Sequence, residues 1–228
     1  MNGEADLASI GSLLADDARA TMILTLLGGD AIPAGELARR AGVSPSGASA
    51  HLKRLREGGL ITQERAGRHR YFRLASHELA EALESLARVA PVRPVSGFRE
   101  SEATRSLKHA RTCYDHLAGE LGVGVADALV ECGMLTRADA AFALTGDGAR
   151  WFTALGIDLD ALNGSRRSFA RACVDWSERR PHVAGSLGAA LADVFFARRW
   201  IRRLPGGRAV AVTLNGRAWL ARELGLHT

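Results

Sequence analysis

Lysine is almost missing from this chain of 228 residues: Lys53 and Lys108 are its whole complement, and the rest of the 30 basic residues are arginine. An Ala-, Gly- and Arg-rich composition reflects GC-rich coding as readily as function, so the net charge of +5 carries little meaning as a total. Cysteine is scarce and odd in number, with Cys113, Cys132 and Cys173 only; this excludes a disulfide framework and suits reduced thiols. No run of about 18 apolar residues occurs, which excludes a spanning helix. The opening MNGEADLASIG is acidic where an export signal would be basic and then apolar, so a cytoplasmic chain with no membrane partner is expected. Catalytic signatures are absent too: there is no G-x-S-x-G, no G-x-x-x-x-G-K-S/T, no H-E-x-x-H and no dinucleotide fingerprint after an expected strand, so no enzyme is expected. What is present is ordinary globular material, 47% hydrophobic and 24% charged, long enough for one large domain or two small ones.

The positive charge is concentrated. Between Gly35 and Arg73 nine Lys or Arg face three Glu, a local excess that leaves the remainder of the chain close to neutral. Localised charge of this kind is the footprint of a module that neutralises phosphates. Leu7 to Leu27 reads as one or two helices, followed by a short helix from Gly35 to Ala41. Gly42-Val43-Ser44-Pro45 then supplies a tight turn, an N-cap serine and a proline at the first helical position, which starts a helix running to about Glu57. Gly58-Gly59 ends it. The alternating LITQERAGRHRYFRL predicts a hairpin with Ala66-Gly67-Arg68 at its tip, and a closing helix covers Ser76 to about Val89. The proline-bearing stretch Pro91 to Gly97 marks the expected boundary between a domain at 1–90 and another at 98–228.

The second half contains an internal duplication. RTCYDHLAGELG, starting at Arg111, returns as RACVDWSERRPHVAGSLG from Arg171, and LTGDGARWF from Leu144 is echoed by VTLNGRAWL from Val212. Each copy reads as a long helix, a two-stranded hairpin and a closing helix. The expected fold class is therefore mainly α with small β-hairpins: an amino-terminal winged helix-turn-helix and a carboxyl-terminal domain of two duplicated winged-helix-like units about a pseudo-dyad.

In the helix from Pro45, Ala48, Leu52 and Leu55 recur at i, i+4 and i+7 and form its buried face. The opposite side offers Ser46, Ser49, Ala50 and Lys53, flanked by His51 and Arg54. Its small residues allow entry into a major groove. The serines and His51 suit base edges or phosphates, Ala50 suits a thymine methyl, and Lys53 and Arg54 suit phosphate. Pro45 and Ser46 sit at the helix start, where N–H groups favour a phosphate oxygen. The hairpin tip adds Arg68, His69 and Arg70, beside Arg65, to follow the backbone or reach a minor groove.

The S-x-S-x-x-S-x-H-L-x-x-L-x-x-x-G-L run from Ser44 to Leu60 and the G-R-x-x-Y-x-x-L wing from Gly67 to Leu74 resemble the winged helix-turn-helix of the ArsR/SmtB repressors, over roughly the first 90 residues. The resemblance implies a homodimer built from the first and last helices of the module, double-stranded DNA with a near-palindromic operator as partner, and repression relieved by an effector. The family's metal sites do not carry over: AIPAGELARRAG lacks the cysteine pair, and SHELAEALESLARV offers only His77. A winged helix kept for protein interaction is the competing reading of the motif.

Effector candidates fall in the second half. His109, Cys113 and His116 stand at i, i+4 and i+7, so one helix would turn all three to one side; the second copy supplies Cys173, Asp175 and His182. Imidazole and thiolate suit a transition metal, and a thiolate beside histidine suits redox chemistry. A small organic effector near Trp151, Trp176, Trp200 and Trp219 is the other option, although Trp151 and Trp219, matched between copies, read as anchors of the closing helices. Against both stands a structural reading. Arg111–Asp115 and Arg171–Asp175 are i, i+4 pairs, cysteine is a common core residue, and Leu107, Tyr114, Leu117 and Leu121 read as an apolar stripe. The function expected is that of a sequence-specific DNA-binding regulator, with a metal- or thiol-handling protein as the alternative.

Overall fold

The computed structural model describes residues 4–91, 98–164, 167–205 and 207–228. The chain forms two compact units, Met1–Leu86 and Ala87–Thr228. Of the boundary stretch expected at Pro91 to Gly97, residues 92–97 lie outside the described residues.

The first unit opens with two helices where the sequence allowed one or two: α1 (Leu7–Leu14) and α2 (Asp17–Leu26). Each is capped by an aspartate, Asp6 accepting from the Ser9 N–H and Asp16 from the Arg19 N–H. Strand β1 (Ile32–Pro33) leads into α3 (Ala34–Ala41), which Gly42 ends in the left-handed region at φ 66°. Helix α4 (Pro45–Glu57) follows, then the hairpin β2 (Ile61–Ala66) and β3 (His69–Leu74), and α5 (His77–Val89). The three strands form one antiparallel sheet in the order β1-β3-β2. Met22, Leu26, Leu37, Leu52, Leu55, Leu60, Ile61, Phe72 and Leu74 are buried, so α2, α3 and α4 share one core with the root of the hairpin. This is a winged helix-turn-helix.

The first helix lying wholly in the second unit is α6 (Phe98–His109), and here the sequence expectation fails. A long helix through His109, Cys113 and Leu121 is replaced by a hairpin, β4 (Arg111–Cys113) with β5 (His116–Ala118), before α7 (Gly119–Glu131). The reason is local. Tyr114 takes a left-handed φ of 59° at the turn, and Gly119 takes φ 74° where a Cβ would collide with the Lys108 carbonyl; neither conformation belongs inside an α-helix. The expected stripe is accordingly dispersed: Leu107 lies on α6, Tyr114 in the turn, Leu117 on β5 and Leu121 on α7.

After α7 come a second hairpin, β6 (Leu135–Arg137) with β7 (Phe142–Leu144), then α8 (Gly146–Ala154) and the short α9 (Leu159–Asn163). The same succession returns: β8 (Ala172–Val174) with β9 (Pro181–Val183), α10 (Gly185–Ala197), β10 (Ile201–Arg203) with β11 (Val210–Val212), and α11 (Leu214–Leu224). The copies exchange contacts reciprocally. The Phe142 N–H donates to the Ala170 carbonyl and the Ala172 N–H to Ala140, while the Thr112 N–H donates to Arg208 and the Val210 N–H to Ala110. Each copy's second hairpin thus pairs with the strand that opens the other copy. Leu121, Val125, Leu129, Phe152, Leu187, Leu191, Phe195, Trp219 and Leu220 fill the shared core. Trp200 stacks on Trp219 with ring centroids 3.8 Å apart, and Trp151 lies 5.9 Å from Trp219. These three tryptophans therefore belong to that core and its margin.

Candidate DNA-reading surface and a four-donor cluster

Helix α4 is held on one side and open on the other. Ala48, Leu52 and Leu55 are buried; Ser46, Ser49, Ala50, Lys53 and Arg54 are exposed. Ser44 caps the helix by accepting from the Gly47 N–H at 3.1 Å, and exposed Pro45 occupies the first turn. The polar side chains are only lightly engaged: Ser49 Oγ donates to the Pro45 carbonyl at 2.9 Å, and Lys53 stands 3.8 Å from Glu57. Both can turn outward at little cost. His51 differs. It is half-buried, with Nδ1 3.5 Å from Asp16, the N-cap of α2, so it is partly turned toward the helical scaffold. At the wing, Gly67 takes φ 58° and Arg65, Arg68, His69 and Arg70 are all exposed.

The second unit gathers four donors into one buried cluster: Cys113, His116, Cys173 and His182, with one ligand atom of each lying within 4.8 Å of every other. Register explains why. In β4–β5, Cys113 pairs with His116, and in β8–β9, Cys173 pairs with His182, so each hairpin presents one thiol and one imidazole side by side. The two hairpins meet with the Sγ atoms 4.0 Å apart and the imidazole centroids 5.1 Å apart. Glycines permit the approach. Gly122 on α7 lies against the Leu117 carbonyl and beside His182, while Gly188 on α10 lies against the Val183 carbonyl and beside His116. His116 Nε2 and both ring nitrogens of His182 are buried without a hydrogen-bond partner.

Two of the residues read as effector candidates stand outside the cluster. His109 ends α6, half-exposed, with Nδ1 2.9 Å from Glu120. Asp175 is fully buried and committed elsewhere: its Oδ2 accepts from Arg111 at 2.6 Å and from the Gly119 N–H at 2.7 Å, and its Oδ1 accepts from Ser177 and the Glu178 N–H. The expected local pairing of Arg111 with Asp115 is therefore corrected. Arg111 reaches across to the other copy, and Asp115 accepts from Arg167 at 2.7 Å and lies 3.2 Å from His116 Nδ1. The hairpin turns Asp115 away from Arg111.

Comparison with known proteins places the chain in a family. The helix-turn-helix domain family matches residues 14–64. The uncharacterized HTH-type transcriptional regulator YdfF of Bacillus subtilis is 45% identical over 219 residues, covering 96% of this chain and 97% of its own. The chain belongs to the ArsR-type HTH transcriptional regulators. The HTH-type transcriptional regulator CmtR of Mycobacterium tuberculosis shares 40% identity over 86 residues, 38% of this chain and 72% of its own. Among solved structures, the homodimeric winged helix-turn-helix domain Mb0332 of Mycobacterium bovis, a possible ArsR-family regulator, is 30% identical over 38% of this chain and 86% of its own, with a TM-score of 0.32. No helix among the regulator's described residues is long and apolar enough to cross a membrane.

The electrostatics of this regulator's cluster follow from its neighbours. Burial pushes the Asp115 carboxyl upward, but His116 and Arg167 outweigh burial and hold it at about 2. Burial likewise opposes ionisation of Asp175, and Arg111, the Gly119 N–H and Ser177 overcome it, leaving that carboxyl well below the usual range. The Cys173 thiol is drawn far below its ordinary value, first by its contact with Cys113 and then, against burial, by His116 and His182. For His116, burial is outweighed by Asp115 and Cys173 and the imidazole is shifted upward; for His182, burial prevails and the shift is downward. The positioning residues Arg167 and Ser177 were not marked in the sequence, and Arg111 was marked only as a local partner of Asp115. The one available signal was that a Cys and a His recur at matched places in both copies.

Proposed function

We propose that this ArsR-type regulator is a cytoplasmic, homodimeric, sequence-specific repressor, with the amino-terminal unit reading DNA and the carboxyl-terminal unit sensing an effector. The observation that carries the DNA reading is the uncovered face of α4, where small side chains (Ser46, Ser49, Ala50) adjoin cations (Lys53, Arg54) beside an arginine-rich wing. A face of this size and charge enters a major groove, while Arg68, His69 and Arg70 follow the flanking backbone. His51, held near Asp16, serves as a backbone contact or a brace for the helix. A homodimer is supported by α1, which leaves Leu7 and Ile10 exposed while Leu13 and Leu14 are half-buried against the chain. The carboxyl-terminal unit is read as two winged-helix-like copies about a pseudo-dyad, a reading supported by their repeated element order and reciprocal strand contacts.

In vitro selection from a random duplex pool by the full-length chain tests this. The expected result is a near-palindromic sequence with half-sites about one helical turn apart, and a changed preferred base when Ser49→Ala is selected in parallel. Recovery of an unenriched pool would remove the reading, and enrichment identical for wild type and Ser49→Ala would remove the assignment of that face to base edges.

A further inference from the structure

The geometry points to a tetrahedral site for a divalent, sulfur- and nitrogen-seeking metal ion of the zinc class, held by Cys113, His116, Cys173 and His182. Two donors come from each copy, so the ion joins the two hairpins. For zinc bonded at about 2.3 Å to sulfur, a regular tetrahedron places two sulfurs about 3.8 Å apart. The Sγ atoms stand 4.0 Å apart and the four donor atoms all lie within 4.8 Å of one another, so a closed shell needs the widest pair to draw in by about 1 Å. A disulfide would need a separation near 2.05 Å and would leave the imidazoles unexplained. Those imidazoles are the second observation: His116 Nε2 and the His182 nitrogens are buried and make no well-formed hydrogen bond, with the Cys173 sulfur as their near neighbour, an arrangement that is costly unless a metal joins the nitrogens and the sulfur.

The surroundings complete the assignment. Asp115 beside His116 Nδ1 orients that ring and leaves Nε2 for the ion, the carboxylate–histidine–metal arrangement that tunes such sites. Asp175 Oδ2 stands 3.6 Å from His182 Nδ1 while remaining neutralised by Arg111. As the ion bonds, whatever protons the two sulfurs and the coordinating imidazole nitrogens still hold leave to solvent, and no electron is transferred. The two thiolates balance the divalent charge, and a neutral complex is what a buried site tolerates. Four protein donors leave no open position for a reacting water, the pattern of a binding site and not of a catalytic one. That this ion is the effector rests on the regulatory reading above; that it binds does not.

Titration of the reduced full-length chain with Co²⁺, followed by Zn²⁺, tests the site without DNA. One ion per chain is expected, with the strong visible bands of tetrahedral cobalt and sulfur-to-cobalt absorption in the near ultraviolet, both lost on zinc addition. Cys113→Ser with Cys173→Ser should abolish the bands, and Cys132→Ser, at an exposed cysteine outside the cluster, should leave them intact. Should the double variant misfold by circular dichroism, His182→Asn alone should weaken cobalt binding at least tenfold and change the spectrum. Absence of bound cobalt, a weak octahedral spectrum, binding indifferent to these changes, or a Cys113–Cys173 disulfide formed in place of metal binding would each overturn the site. On a selected duplex, zinc-loaded and chelated wild type should differ in affinity about tenfold, within the usual range of allosteric coupling. Equal affinity would overturn the effector role while leaving the metal site standing.

Discussion

Arg111 and Asp175, 64 residues apart in sequence, form a 2.6 Å ion pair whose side chains are 1% and 0% exposed. The guanidinium also lies 4.7 Å from the Trp176 ring, and the carboxylate is saturated by backbone and serine donors. Removing one partner strands a buried charge. Asp175→Ala should therefore destabilise the carboxyl-terminal unit by about 3–5 kcal/mol. Urea unfolding of the full-length chain followed by tryptophan fluorescence checks it, because all four tryptophans lie in this unit; a loss below 1 kcal/mol would show that water reaches the stranded group.

Gly122 is where α7 rests on the hairpin that carries Cys113 and His116. A methyl group there meets the Leu117 carbonyl. Gly122→Ala should cost about 1–3 kcal/mol through overpacking. It should also lower cobalt affinity, because relieving that clash shifts β5, which carries His116. An equally stable variant with unchanged metal affinity would show that the close approach does not hold the donors in place.

Asp115→Asn keeps the size of the side chain and removes its charge. Metal affinity should fall by roughly 10- to 100-fold as the outer partner of His116 is weakened, with the tetrahedral cobalt spectrum retained. Competition against a chromophoric chelator measures the fall. A lost spectrum would mean that Asp115 is itself a ligand.

Helix α1 buries none of its residues, and Leu7 is 76% exposed. Leu7→Glu with Ile10→Glu should shift the chain from dimer to monomer by light scattering and weaken duplex binding, since two half-sites would no longer be read together. A dimer that persists places the contact elsewhere.

Much of the amino-terminal unit was legible in the sequence because its helices are long enough to show a period. Ala48, Leu52 and Leu55 define the buried face of α4, and Ser44-Pro45 marks its start. The carboxyl-terminal unit was legible only as a duplication. Its strands are three residues long, too short for alternation to register, and His109, Cys113 and His116 fit a helical spacing by chance. Tyr114 at positive φ left no mark in the sequence, since glycine and asparagine are the residues that ordinarily announce such a turn. The Arg111–Asp175 pair was hidden for another reason: each arginine has an aspartate four residues on in its own copy, and only the hairpin turn makes the partner in the other copy the nearer one.

The salt dependence of duplex binding tests the central claim most directly. Fluorescence anisotropy on a selected duplex, read for wild type, Lys53→Ala and Arg68→Ala across a salt series, should give a steep logarithmic fall in affinity for wild type. Each substitution should lower that slope by about one, since each removes one phosphate contact. A wild-type affinity indifferent to salt, or slopes unaltered by both substitutions, would contradict the placement of α4 and the wing on DNA.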